Sequence, residues 1–230
     1  AATVTIDGVP YDSVGVRLKG NASFSHPNDK KPFRLSFDEY RDEQRWDGLK
    51  GVHLNNCWED PTFLREKLHL DLCRDAGIAA PRANFAAVSL NGVPWGFYSL
   101  VEHVDKTFLA ARFGDDGGTL YKANDGFLGT LVSDFRWYGG DAGPYQSRYE
   151  LKTEEAPDPW TDLIAAIDSL HNAPDLAAAL PAVVDLPGLY RAFAADLMLS
   201  SLDCYAGSGR NFYCYFHPLT GKMEWIVWDA

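Results

Sequence analysis

Residues 59–78, EDPTFLREKLHLDLCRDAGI, form a long helical pattern in a front half that otherwise reads as strands. A single helix set among strands points to an α+β chain. Asp60 suits an N-cap, Pro61 the first helical position and Gly77 the C-terminal stop. Leu64, Leu68 and Leu72 recur every four residues beside Phe63 and Cys73, which predicts one apolar helix face. Ahead of this helix, TVTIDG ends in an Asp-Gly turn, and DSVGVRLKG, KPFRLSF and LKGVHLNN read as strands. Behind it, RANFAAVSLNGVPWGFYSLVEHV is two strands around an Asn-Gly turn, and DKTFLAARFG is a short helix closed by Gly114. GTLYKAN and RYELKT are short strand-like runs in a Gly- and aromatic-rich stretch. PWTDLIAAIDSLHN, PDLAAALPAVV and LPGLYRAFAADLMLSSL read as helices, and NFYCYFH and MEWIVW as a closing hairpin. The front is therefore sheet-rich and the back helical, with a seam near residues 103–106.

Composition narrows the function classes. The net charge of −11 argues against a general nucleic-acid binder, yet leaves a nucleotide substrate open, since a few local cations can hold phosphates. No apolar run reaches the length of a membrane span, and the first residues lack the pattern of a secretion signal. The absence of an initiator Met points to excision from a longer protein. Cys57, Cys73, Cys204 and Cys214 form no C-x-x-C pair, which argues against a metal–thiolate site. Disulfides are undetermined; one between Cys204 and Cys214 would pin the glycine loop between them.

That loop lies in SSLDCYAGSGRNFYCYFHPLTGKMEWIVWDA, residues 200–230. Asp203 follows a long helix, Asn211 precedes an aromatic strand, and Asp229 closes the hairpin. An Asp to accept a hydroxyl proton, with an Asn and a second Asp to hold Mg²⁺, is the set that phosphoryl transfer requires. The same residue types also serve turns and strand ends. Such chemistry needs a Lys near the phosphates and an acid on a helix: Lys30 and Lys31 open one strand, and Glu66 lies in the first helix. There is no G-x-G-x-x-G, although the backbone of KGNAS could face an anion.

The blocks VRLKGNASF with KKPFRLSF, PTFLREKLHLDLCRDAGI, LNGVPWGFYSLVEHVDKTFL, GTLYKAN, and NFYCYF with WIVWDA occur in the order seen in the spore-coat CotH kinase family, which the chain resembles over nearly its whole length. The resemblance implies a two-lobed, atypical protein-kinase-like fold. Its β-rich N-lobe with one main helix would span residues 1–103, and a mostly helical C-lobe residues 104–230. It also implies ATP, Mg²⁺ or Mn²⁺, and transfer to Ser of a protein substrate by a bacterial protein. Secreted, cell-surface and spore-associated locations all stay open, as does the oligomeric state; neither nucleic acid nor a membrane span is expected. Carried over by residue, Asp203 is the catalytic aspartate and Lys31 the active-site lysine, while Asn211 and Asp229 are metal ligands. Lys31, Arg65, Glu102 and Lys122 match family positions assigned to the nucleotide, and Glu66 joins them as the acid of the helix.

Two departures stand out. The Asp203–Asn211 gap of eight residues is three longer than in ordinary protein kinases. The family pattern also continues beyond Ala230, which implies an incomplete C-lobe and puts the activity of this chain in question. Plain structural roles compete: a solvated strand end for Lys31, a first-turn acid for Glu66, and for Arg65 an ion pair with Glu102 or Asp229. The six histidines carry no ligand spacing, and Trp137, Tyr138, Tyr145 and Tyr149 read as loop packing. The rival function is a non-catalytic scaffold of the same fold in coat or surface assembly. A two-carboxylate glycosidase is a third reading.

Overall fold

The computed structural model describes residues 1–25, 27–124, 126, 131–153 and 157–229. The chain divides into two compact units, residues 1–68 with 81–108, and residues 69–80 with 109–230.

The first unit is an antiparallel sheet. Strands β1 (Ala2–Ile6), β2 (Val9–Leu18), β3 (Phe33–Ser36), β4 (Gly51–Asn55), β5 (Ala83–Leu90) and β6 (Val93–Glu102) pair in the order β1-β2-β3-β4-β6-β5. Helix α1 (Ala22–Ser25) is a single turn between β2 and β3. Both expected turns form. Ile6 pairs with Val9 and Leu90 with Val93, and Asp7-Gly8 and Asn91-Gly92 take positive φ at both positions, 49° and 84°, then 51° and 81°. That twist matches the right-handed twist of the flanking strands, so these two dipeptides set the register. Alternation then places Val14, Leu35, Phe37, Leu49, Val52, Leu54 and Tyr98 in one buried cluster.

Helix α2 (Arg65–Asp75) departs from expectation twice. It begins at Arg65 rather than Pro61, because Phe63 sits at φ 61°, in the left-handed region. Asp60 still caps, from ahead of the helix: its carboxylate accepts from the Thr62 N–H (3.1 Å), the Thr62 hydroxyl (2.5 Å) and the Arg65 N–H (2.9 Å). The leucine ridge also faces outward: Leu64, Leu68 and Leu72 are 45%, 53% and 49% exposed, while His69, Leu70 and Cys73 are buried. His69 Nε2 makes no hydrogen bond among the described residues and stands 3.4 Å from Asp196 Oδ1.

Burial alone would raise the Asp60 pKa. The Thr62 hydroxyl, the N–H groups of Arg65 and Thr62 and the Arg65 charge outweigh it and hold the carboxyl below its usual value. A depressed folded pKa means stability that is present at neutral pH and lost as pH falls through that folded value. Asp60→Ala is expected to cost about 1–2 kcal/mol in urea unfolding at neutral pH, and the difference from the unmodified chain should shrink in acid.

The second unit begins with the rest of α2 and most of α3 (Lys106–Phe113). Strands β7 (Thr119–Ala123), β8 (Tyr149–Leu151), β9 (Phe212–Phe216) and β10 (Met223–Val227) form an antiparallel sheet in the order β10-β9-β7-β8. Its helices are α4 (Gly143–Gln146), α5 (Thr161–Asn172), α6 (Leu176–Val183), α7 (Leu186–Met198) and the single turn α8 (Tyr205–Ser208). Phe212 stacks on Trp225 at 4.1 Å, with Phe135, Tyr205 and Phe193 around them. Tyr145 and Tyr149 are fully packed, in keeping with loop packing for that aromatic group. Among the described residues no helix is long and apolar enough to cross a membrane. The chain is α+β, with one antiparallel sheet in each unit.

Candidate functional site

Every residue of β9 is buried, so this strand reads as a continuous apolar run, FYCYF, instead of alternating. Such a strand, covered on both faces, is a rigid support for whatever lies at its ends. The last β9–β10 pair is Phe212 with Val227, so Asn211 enters and Asp229 leaves at the same end of the hairpin. Both adopt left-handed backbone, φ 61° and 57°, a conformation that Asn and Asp take more readily than other non-glycine residues.

Asp203 is joined to this end by hydrogen bonds. Asn211 Nδ2 donates to the Asp203 main-chain oxygen (2.7 Å) and to its Oδ2 (3.2 Å). Ser208 Oγ donates to Asp203 Oδ1 (2.8 Å), and Arg210 Nε lies 3.5 Å from the same oxygen. The residues that lengthen the Asp203–Asn211 gap fold into α8, whose C-cap Gly209 has φ 67°. A Cβ on Gly207 would overlap the Leu202 carbonyl oxygen, so the turn closes tightly only with glycine there. No disulfide is needed to pin the loop: all four cysteines are free, and burial pushes the Cys73 thiol up to about 12 and Cys214 well above its usual value. Neither is a reactive thiolate.

With its nitrogen turned to Asp203, Asn211 presents Oδ1 as its remaining polar atom. The Asp229 carboxylate is exposed and, among the described residues, has no hydrogen bond or ion pair. These are hard oxygen donors of the type that suits Mg²⁺ or Mn²⁺. Among the described residues no three His, Cys, Asp or Glu side chains gather to hold a metal, so a divalent ion here would depend on the amide as well as the acid. Lys122, half-buried in β7, pairs across the sheet with Tyr213, two residues along β9 from Asn211. Asp203, Asn211, Asp229 and Lys122 all belong to the second unit.

The remaining expected residues belong to the first unit. Lys31 Nζ donates to the Phe24 carbonyl (2.7 Å) and lies 5.4 Å from the Phe24 ring centre. Its neighbour Lys30 instead borders an open cavity of about 460 Å³, lined in part by Asn56, Cys57, Trp58 and Phe63. Lys30 Nζ donates to the Asn56 carbonyl (3.0 Å) between the rings of Phe63 and Tyr98, and burial pushes its pKa below the usual value. Arg65 Nη2 reaches the Glu59 carbonyl at 3.4 Å. Glu102 is buried, and its carboxylate accepts from the Arg82 N–H (2.9 Å) and Arg82 Nη2 (3.3 Å), which locks the end of β6 to the start of β5. Glu66 Oε1 accepts from Asn55 Nδ2 (2.7 Å), and Asn55 Oδ1 in turn accepts from Lys19 Nζ (2.5 Å). Sequence reasoning missed Ser208 and Arg210, which contact the Asp203 carboxylate.

Residues 16–230 match the family described as CotH kinase protein. The chain is 31% identical over 209 residues to inner spore coat protein H of Bacillus subtilis (strain 168), a match that covers 89% of this chain. It spans 55% of that relative's length.

Proposed function

From the premise that the chain belongs to the CotH kinase protein family, we propose that it carries a metal-dependent phosphotransferase site, moving the γ-phosphoryl group of ATP to a serine hydroxyl of a protein on a two-lobed, kinase-like fold. The observation that carries this reading is the Asn211 amide. It is tied to both the main chain and the carboxylate of Asp203, at the hairpin end that Asp229 shares. The group that would meet a hydroxyl and the two oxygens that would meet a cation thus belong to one end of one hairpin, Asp203 through its bonds from Asn211.

In this mechanism Asp203 accepts a hydrogen bond from the serine hydroxyl and aims its oxygen at the γ-phosphorus. The serine O–P bond forms as the bond from phosphorus to the β–γ bridging oxygen breaks; ADP leaves, and the hydroxyl proton passes to the Asp203 carboxylate. Ser208 and Arg210 keep that carboxylate from rotating away. Asn211 Oδ1 and Asp229 would hold Mg²⁺ or Mn²⁺, which when bound supplies positive charge to the phosphate oxygens. Lys122 would add a cation from β7. Positioning and electrostatics account for the acceleration, because the transfer state is loose and strongly anionic.

A second reading, a non-catalytic scaffold for coat or surface assembly, draws on the relative's name and on Leu197, Met198 and Leu202, which are 72%, 85% and 80% exposed. Calorimetry separates the two. A phosphotransferase site releases or absorbs heat with ATP plus Mg²⁺ and loses that signal with EDTA; a scaffold shows no metal-dependent heat. Incubation with γ-labelled ATP and a serine-rich acceptor protein should then place label on phosphoserine.

A further inference from the structure

The hydroxyl of Ser208 meets the Asp203 carboxylate as a substrate serine would. Ser208 Oγ donates to Asp203 Oδ1 at 2.8 Å and stands 3.1 Å from the Cys204 carbonyl oxygen, one turn back along α8. A hydroxyl carries one proton and two lone pairs. With the proton directed at Oδ1 the lone pairs are left over, and among the described residues no group donates to them. Ser133, Ser147 and Ser169 donate their hydroxyl protons to main-chain carbonyls instead.

The local sequence accounts for this arrangement. Ser208 lies between Gly207 and Gly209, so no neighbouring side chain shields its oxygen. Gly207 packs against the Leu202 carbonyl and Gly209 ends α8 at φ 67°, which folds Ser208 back onto Asp203. Asp203 is exposed and Ser208 half-buried. A hydroxyl that served only to close the turn would have the Cys204 carbonyl to bond, yet the shorter contact is the one to the carboxylate. Arg210, with Nε 3.5 Å from Asp203 Oδ1, sets a guanidinium beside the same oxygen. A phosphoryl group arriving on Ser208 would meet that cation, which offsets part of the charge the ester adds.

We infer that Ser208 is a phosphorylation site of the chain itself, its hydroxyl taking the γ-phosphoryl group of ATP with Asp203 of the same molecule as the base. This inference rests on the phosphotransferase reading and names an acceptor for it. The Ser208 O–P bond forms as the bond from phosphorus to the β–γ bridging oxygen breaks; ADP leaves, and the Ser208 proton passes to Asp203 Oδ1. Acceptor, base and the neighbouring cation all lie in the second unit. Because acceptor and base already touch within one chain, the reaction is intramolecular.

The test is incubation of the chain with γ-labelled ATP and Mg²⁺, with no acceptor protein added. The tryptic fragment 192–210 holds Ser200, Ser201 and Ser208, so fragment sequencing by mass spectrometry decides which of them carries label. Label is expected on Ser208, at a rate per chain that dilution leaves unchanged. Asp203→Asn should lower that labelling by on the order of 10²- to 10⁴-fold. Ser208→Ala should lose the label from the fragment, and Ser208→Thr should regain it as phosphothreonine, which a purely structural hydroxyl would not produce. Label on Ser200 or Ser201 in place of Ser208, or a rate per chain that rises with chain concentration, overturns the inference. So does transfer to an added serine-rich protein that leaves Ser208 bare, a result in which the phosphotransferase reading survives. If calorimetry shows no binding of Mg-ATP, that reading falls and the inference with it.

Discussion

Asp203→Asn is expected to lower phosphoryl transfer by on the order of 10²- to 10⁴-fold while Mg-ATP affinity stays within about twofold of the unmodified chain. The separation follows from which atoms of Asp203 do what. Its main-chain oxygen, present whatever the side chain, accepts the shorter bond from Asn211 Nδ2, 2.7 Å against 3.2 Å for the carboxylate. The amide therefore keeps its orientation in the variant, and Asn211 Oδ1 stays available. What disappears is the anionic carboxylate that takes the hydroxyl proton. Initial rates with γ-labelled ATP, alongside calorimetry, measure the two quantities independently. Turnover retained at the unmodified rate would remove Asp203 from the chemistry.

Asp229→Asn should do the reverse, abolishing the metal-dependent part of nucleotide binding. A loss of about 100-fold or more is expected with Mg²⁺ present, on the scale of removing one preorganised electrostatic partner. The fold should be unaffected, within about 0.5 kcal/mol, for two reasons. Asp229 is exposed and, among the described residues, makes no hydrogen bond or ion pair. Its left-handed backbone is one that Asn adopts as readily as Asp. Calorimetry with and without Mg²⁺, together with a thermal melt, checks both statements. An unchanged Mg²⁺ dependence would count against Asp229 as a ligand, and a large loss of stability would point to a structural part for it.

Local signals were legible where a few adjacent residues decide the outcome. Asp7-Gly8 and Asn91-Gly92 impose their turns because the positive φ is a property of those dipeptides. The pattern of α2 shows the limit. Leucines at 64, 68 and 72 share a helix face, as their spacing requires, but that face is outward, and the buried side carries His69 and Cys73. Periodicity reports which residues lie together; it does not report which side of the helix another element covers. The same holds for Glu102. Its carboxylate meets Arg82, twenty residues earlier, and no spacing along the chain relates the two.

The candidate site divides in the same way. Asp203, Asn211 and Asp229 stood out by residue type, by their place around an apolar hairpin and by resemblance to a family. Their relation did not: the bond from Asn211 to Asp203 depends on α8 folding the intervening residues back, with Gly207 against the Leu202 carbonyl. The hydrogen bonds that link Lys19, Asn55 and Glu66 likewise join three separate stretches of chain that no spacing relates.

What the amino-acid order determined by itself was short-range: the turns, the strands and helices, the α+β class and the chemical types available for a site. Only the tertiary structure decided which helix face is covered, which group each lysine meets and how the Asp203 loop closes. The reason is range. Backbone preferences act over a few residues, whereas burial and hydrogen-bond partners are set by chain segments that meet only after folding.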